Sequence, residues 1–97
     1  MIYNLDTILT ILRAHKAELQ EKYPISRLGV FGSYARGEAT EKSDIDILVD
    51  ITGPMGLSFV AMAEEIEKLL GKKTDVVPHR SIKPAYLPFV EKDIIYV

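Results

Sequence analysis

The stretch that decides the fold is Gly32-Ser33-Tyr34-Ala35-Arg36-Gly37, followed after a polar segment by Ser43-Asp44-Ile45-Asp46-Ile47-Leu48-Val49. Before it stands an apolar, β-prone run, Ile25 to Phe31, in which Leu28, Val30 and Phe31 supply the hydrophobic content. Gly32-Ser33 breaks that strand. Ser33 is expected to N-cap a single helical turn over residues 34–36, which Gly37 closes. The polar segment 38–43 predicts an exposed loop. A second strand then covers 45–51. Because side chains alternate along a strand, Ile45, Ile47, Val49 and Ile51 share one face, while Asp44, Asp46, Leu48 and Asp50 share the other.

Working outward, Leu5, Ile8, Leu9, Leu12, Leu19 and Tyr23 recur near helical spacing and predict a helix over 5–22. Asn4 or Asp6 can cap its start, and Pro24 stops it. Beyond the second strand, Thr52-Gly53-Pro54-Met55-Gly56 reads as loop. A second long helix follows over 57–70, with Phe59, Met62, Ala63, Ile66, Leu69 and Leu70 on one stripe and Gly71 at its end. Residues 73–77 predict a short strand ended by Pro78, 84–92 a short helix, and 94–97 a final strand. The short link between the first two strands suits antiparallel pairing, and the helical crossover to the third suits parallel pairing. The expected class is α/β (α+β): a mixed sheet of about four strands with helices on one face, in a single domain over 1–97.

Composition narrows the function. The 97 residues are 47% hydrophobic and 27% charged, as in an ordinary globular domain, and the net charge is −2. Strong nucleic-acid tracking, which needs a basic surface, is therefore not expected. The absence of cysteine excludes disulfides and thiolate metal sites. No signal peptide and no membrane-spanning run are visible, which predicts a cytoplasmic protein.

Asp44 and Asp46 stand two apart, so their side chains leave one face with Cα atoms roughly 6.5–7 Å apart. Two carboxylates about 4 Å apart repel by ~4 kcal/mol at an effective dielectric of 20. A divalent cation removes that conflict, and Mg²⁺ favours a few carboxylates plus substrate phosphates. A glycine-serine turn lets backbone approach a phosphate closely, and Arg36 lies one turn on. Asp75, flanked by Val76 and Val77, is the candidate third acid of a two-metal site. Neither a Walker loop nor a dinucleotide fingerprint is present. Taken singly, an Asp-x-Asp is most often a solvated strand edge, a Gly-Ser only a turn, and Asp75 or Arg36 a surface charge. Their joint occurrence in one strand-turn-strand unit is what points to a nucleoside triphosphate and its metal.

These residues resemble the signature of the nucleotidyltransferase superfamily typified by DNA polymerase beta, and more closely the minimal nucleotidyltransferases, the MntA-like antitoxins. The likeness extends over nearly the whole chain. It implies a mixed sheet flanked by helices, ATP as substrate, Mg²⁺ as cofactor in two ions, and transfer of AMP to an acceptor hydroxyl. It implies that Gly32 and Ser33, with Arg36, bind the triphosphate, and that Asp44, Asp46 and Asp75 are catalytic and hold the metals. Minimal members commonly pair with a HEPN-type toxin, a tyrosine of which they adenylylate. A small-molecule nucleotidyltransferase and a non-catalytic toxin-binding module are the alternatives. Met55, Leu57, Val60 and Ala61 are surplus to the apolar stripe of the second long helix, and either a partner, a second copy or the C-terminal segment is expected to cover them. His15 and His79 read as surface residues, with His79-Arg80 close enough in sequence to border the site.

Overall fold

The computed structural model describes residues 4–97. Helix α1 (Leu5–Lys22) starts where Asn4 caps it, its Oδ1 accepting the Thr7 N–H at 2.9 Å. It buries Ile8, Leu9, Leu12 and Leu19. Strand β1 (Ile25–Phe31) leads into a single turn, α2 (Ser33–Arg36), and a loop returns the chain along β2 (Ile45–Ile51). Helix α3 (Ser58–Leu70) crosses to β3 (Thr74–Pro78). A 3₁₀ turn, His79–Ser81, then leads to α4 (Leu87–Asp93) and β4 (Ile95–Tyr96). The short helix begins three residues later than its proline suggests, because Pro88 rather than Pro84 occupies its first turn.

The sheet order is β3-β2-β1-β4. β1 pairs antiparallel with both β2 and β4, and β2 pairs parallel with β3. This is the mixed four-stranded sheet that the connection lengths require. One face carries the core. Ile45, Ile47 and Val49 are fully enclosed there with Leu28 and Val30, against Leu12 and Leu19 of α1 and Met62 and Ile66 of α3. At about 25 cal/mol per Å² of apolar surface removed from water, this layer supplies most of the driving force for folding.

The other face is not bare, which corrects the expectation of helices on one face only. The segment after β3 folds back across it. His79 meets Asp50 (Nδ1–Oδ1 3.7 Å) and Glu91 of α4 (Nε2–Oε1 3.6 Å). Ile94 lies over Gly29, where a Cβ would come within 2.9 Å of the Ile95 carbonyl oxygen and 3.0 Å of the Ile94 side chain. Leu48, alone among the buried apolar residues of β2 in facing this way, is shielded outside the main core. The α3 surplus is not covered by the C-terminal segment: Leu57 and Val60 are 89% and 54% exposed, although Met55 is buried.

Candidate active site

At one end of the sheet, β1 finishes and β2 begins. Phe31 is the register partner of Asp46 on one side, and Asp75 is its partner on the other. Register partners project from the same face, so Phe31, Asp46 and Asp75 form a row across three strands. Asp44 stands just ahead of β2, with its carboxylate 3.8 Å from Lys73 Nζ. The Asp46 carboxyl is pushed above the ordinary aspartate range. Its burial is the main cause, followed by the negative charges of Asp75 and Asp44, and Arg36 pulls partly the other way. Asp46 therefore feels the charges of both other acids of the sequence pattern, although Asp75 itself is exposed.

Gly32 adopts φ 76°, ψ −151°, a conformation that disfavours any side chain. A Cβ there would collide with Asp46 Oδ2 and lie 3.1 Å from its Cγ. The glycine thus has a reason beyond ligand approach: it makes room for the acid. Gly32 is also the residue that caps α2. The expected Ser33 cap is not formed, because Ser33 is already the first residue of the turn. Ser33 lines a cleft of about 310 Å³ with Phe31, Gly32, Arg36 and Asp46, and α4 closes it with Phe89, Val90 and Asp93.

Arg36 is held in place from α4. Its Nη1 donates to Asp93 Oδ2 at 3.0 Å, and its Nε donates to Glu38 Oε1 at 3.3 Å. Sequence reasoning missed Asp93 and Phe89, which lie more than fifty residues beyond Arg36, and missed Lys73. A charged residue opposite an arginine is not detectable without the topology. Neither His79 nor Arg80 lines the cleft.

Among the described residues, no three Asp, Glu or His side chains are gathered into a metal cage. The donor set still suits a hard divalent cation. Burial, and after it the negative charges of Asp75 and Asp44, make a lone charge on Asp46 unfavourable, and a cation held by these carboxylates would offset that cost.

The class is a crossover-linked mixed sheet with an Asp-x-Asp at the mouth of a glycine-serine turn. Residues 12–97 match the nucleotidyltransferase domain family, and the chain belongs to it. It is of the minimal nucleotidyltransferase type. Protein adenylyltransferase MntA of Thermococcus cleftensis is 46% identical over 94 residues, covering 96% of this chain and 95% of that protein. A solved minimal nucleotidyltransferase structure aligns with TM-score 0.74 and 34% identity, over 96% of this chain and 95% of that one. A toxin-antitoxin crystal structure with AMP-PNP shares the fold, with TM-score 0.68 at 23% identity over 97% of this chain and 72% of that one.

Proposed function

We propose that this protein transfers AMP from ATP to a hydroxyl of a protein partner, a tyrosine of a cognate HEPN-type toxin, and so acts as the antitoxin of a pair. The observation that carries the proposal is the row Asp46–Asp75 in parallel register, with Gly32 packed directly on Asp46. The name of the Thermococcus relative supports protein adenylylation, and the toxin-antitoxin structures that share the fold support the partner class.

Gly32, Ser33 and Arg36 bind the triphosphate in this scheme, and Asp44, Asp46 and Asp75 hold Mg²⁺. Held by those carboxylates, Mg²⁺ would supply positive charge against the phosphates. Asp75, the most exposed acid of the row, faces the incoming hydroxyl and accepts its proton. The acceptor oxygen forms a bond to the α-phosphorus as the bond to pyrophosphate breaks. The chain's contribution is mainly positioning and a preorganised electrostatic environment. No helix among the described residues is long and apolar enough to cross a membrane.

The test is incubation with α-labelled ATP, Mg²⁺ and the HEPN-type product of the neighbouring gene. Label on a tyrosine of the partner that is lost with Asp44→Asn plus Asp46→Asn is expected. Tight complex formation with no label on either protein would show a binding module instead.

A further inference from the structure

The cleft has two chemically different ends. One is mainly polar: Gly32, Ser33, Arg36 and Asp46, with Phe31 beside Asp46. The other is built by α4, where Phe89 and Val90 offer hydrocarbon. Phe89 is 70% exposed although it lines the cleft, so most of its ring surface is open to a ligand. Phe89 and Asp93 stand four residues apart on α4, on the same side of the helix and about 6 Å apart along its axis. Asp93 is engaged by Arg36, which fixes that end of the helix to the polar end of the cleft. One turn away, the aromatic ring therefore sits at a defined displacement from the cation.

We infer that Phe89 is the platform on which the base of the bound nucleoside triphosphate stacks. The inference rests on the triphosphate-transfer function proposed above and deepens it. A nucleoside triphosphate is charged at one end and flat and aromatic at the other, and the cleft repeats that order. The α4 wall offers the face of a base its ring and a neighbouring aliphatic side chain. Its one carboxylate is already paired with Arg36. Recognition of the base is thus by its face rather than its edge, which any base possesses. The adjoining Tyr86, 62% exposed and three residues earlier, extends the apolar rim beyond the cleft.

The test uses equilibrium binding to the full chain in Mg²⁺ by calorimetry. Phe89→Ala is expected to weaken ATP about tenfold, the usual loss on removing an aromatic stacking partner. Inorganic tripolyphosphate, which has no base, should bind the parent and Phe89→Ala equally. The chain contains no tryptophan, so Phe89→Trp supplies a sole indole whose emission ATP should change and tripolyphosphate should not. The platform is refuted by equal ATP affinity in Phe89→Ala, by parallel loss of ATP and tripolyphosphate, or by an indole blind to ATP. It is also refuted if Phe89→Ala loses capture of the toxin partner while keeping ATP. A parent chain that binds neither ATP nor tripolyphosphate removes the triphosphate-transfer reading itself, and the platform with it.

Discussion

The two faces of β2 are built from alternate residues of one heptapeptide, yet they obey opposite rules. Ile45, Ile47 and Val49 are wholly enclosed between the sheet and the α1–α3 layer. Asp46 and Asp50, turned the other way, are only partly covered, and the helix that crosses above them buries none of its residues completely. The first face is assembled from hydrocarbon and tolerates no water. The second keeps like charges close together and leaves solvent and ligand a way in. Strand alternation lets seven residues serve both ends, with the apolar set fixing the backbone from which the acids project.

The difference can be broken from either side. Asp44→Asn plus Asp46→Asn should lower transfer about a thousandfold or more while leaving far-UV circular dichroism and cooperative unfolding intact. Unfolding of that variant would make the acids structural. Ile47→Ala, one residue away on the enclosed face, should do the reverse. It should cost about 2–5 kcal/mol in urea denaturation, with normal transfer per folded molecule.

Gly32→Ala lies between the two, since it strains the backbone and displaces Asp46 together. A loss of about 1–3 kcal/mol in chemical denaturation, with weakened ATP binding by calorimetry, is expected.

The smallest effect sharpens the comparison most. Because the folded protein holds the Asp46 carboxyl above the ordinary value of 3.8, the folded chain binds more protons than the unfolded chain between that value and the raised one. Its contribution to stability therefore falls as pH rises through the window, and the penalty is complete above it. Asp46→Asn removes the penalty. Measured by thermal unfolding in EDTA, the variant should exceed the parent by a few degrees at neutral pH, and the advantage should vanish below the ordinary aspartate range.

Much of this was legible in the sequence. The alternation of Ile45, Ile47 and Val49 with the acids settles which way β2 faces, and the helical stripe of Met62 and Ile66 settles what covers it. That α1 starts with an Asn or Asp cap follows from residue type, and the structure selects Asn4 over Asp6. The rest depends on distances in space. That Asp75 stands opposite Asp46, rather than one residue off, is a property of strand register, which residue identities on either side of α3 do not encode locally. Asp93 became visible as the partner of Arg36 only when α4 folded back across the acid face. Leu48 is the residue that could have announced that cover: an apolar side chain among acids on the supposedly open face requires something above it. The Ser33 cap failed for a local reason. The positive φ that relieves Asp46 puts the helix boundary at the glycine, one residue early.

The helix α4, with no fully buried side chain, has a consequence for time as well as shape. Segments held by few enclosed contacts open without waiting for the whole domain to unfold. Amide hydrogens over 87–96 should therefore exchange well before those of β1 and β2, and the gap measures how cheaply the wall swings away. A ligand spanning both walls reverses the order. At a hundredfold excess over its dissociation constant it adds about 2.7 kcal/mol to every opening that releases it. Slowed exchange confined to α4 and β4 would then record occupancy of the cleft, residue by residue, without any chemistry taking place.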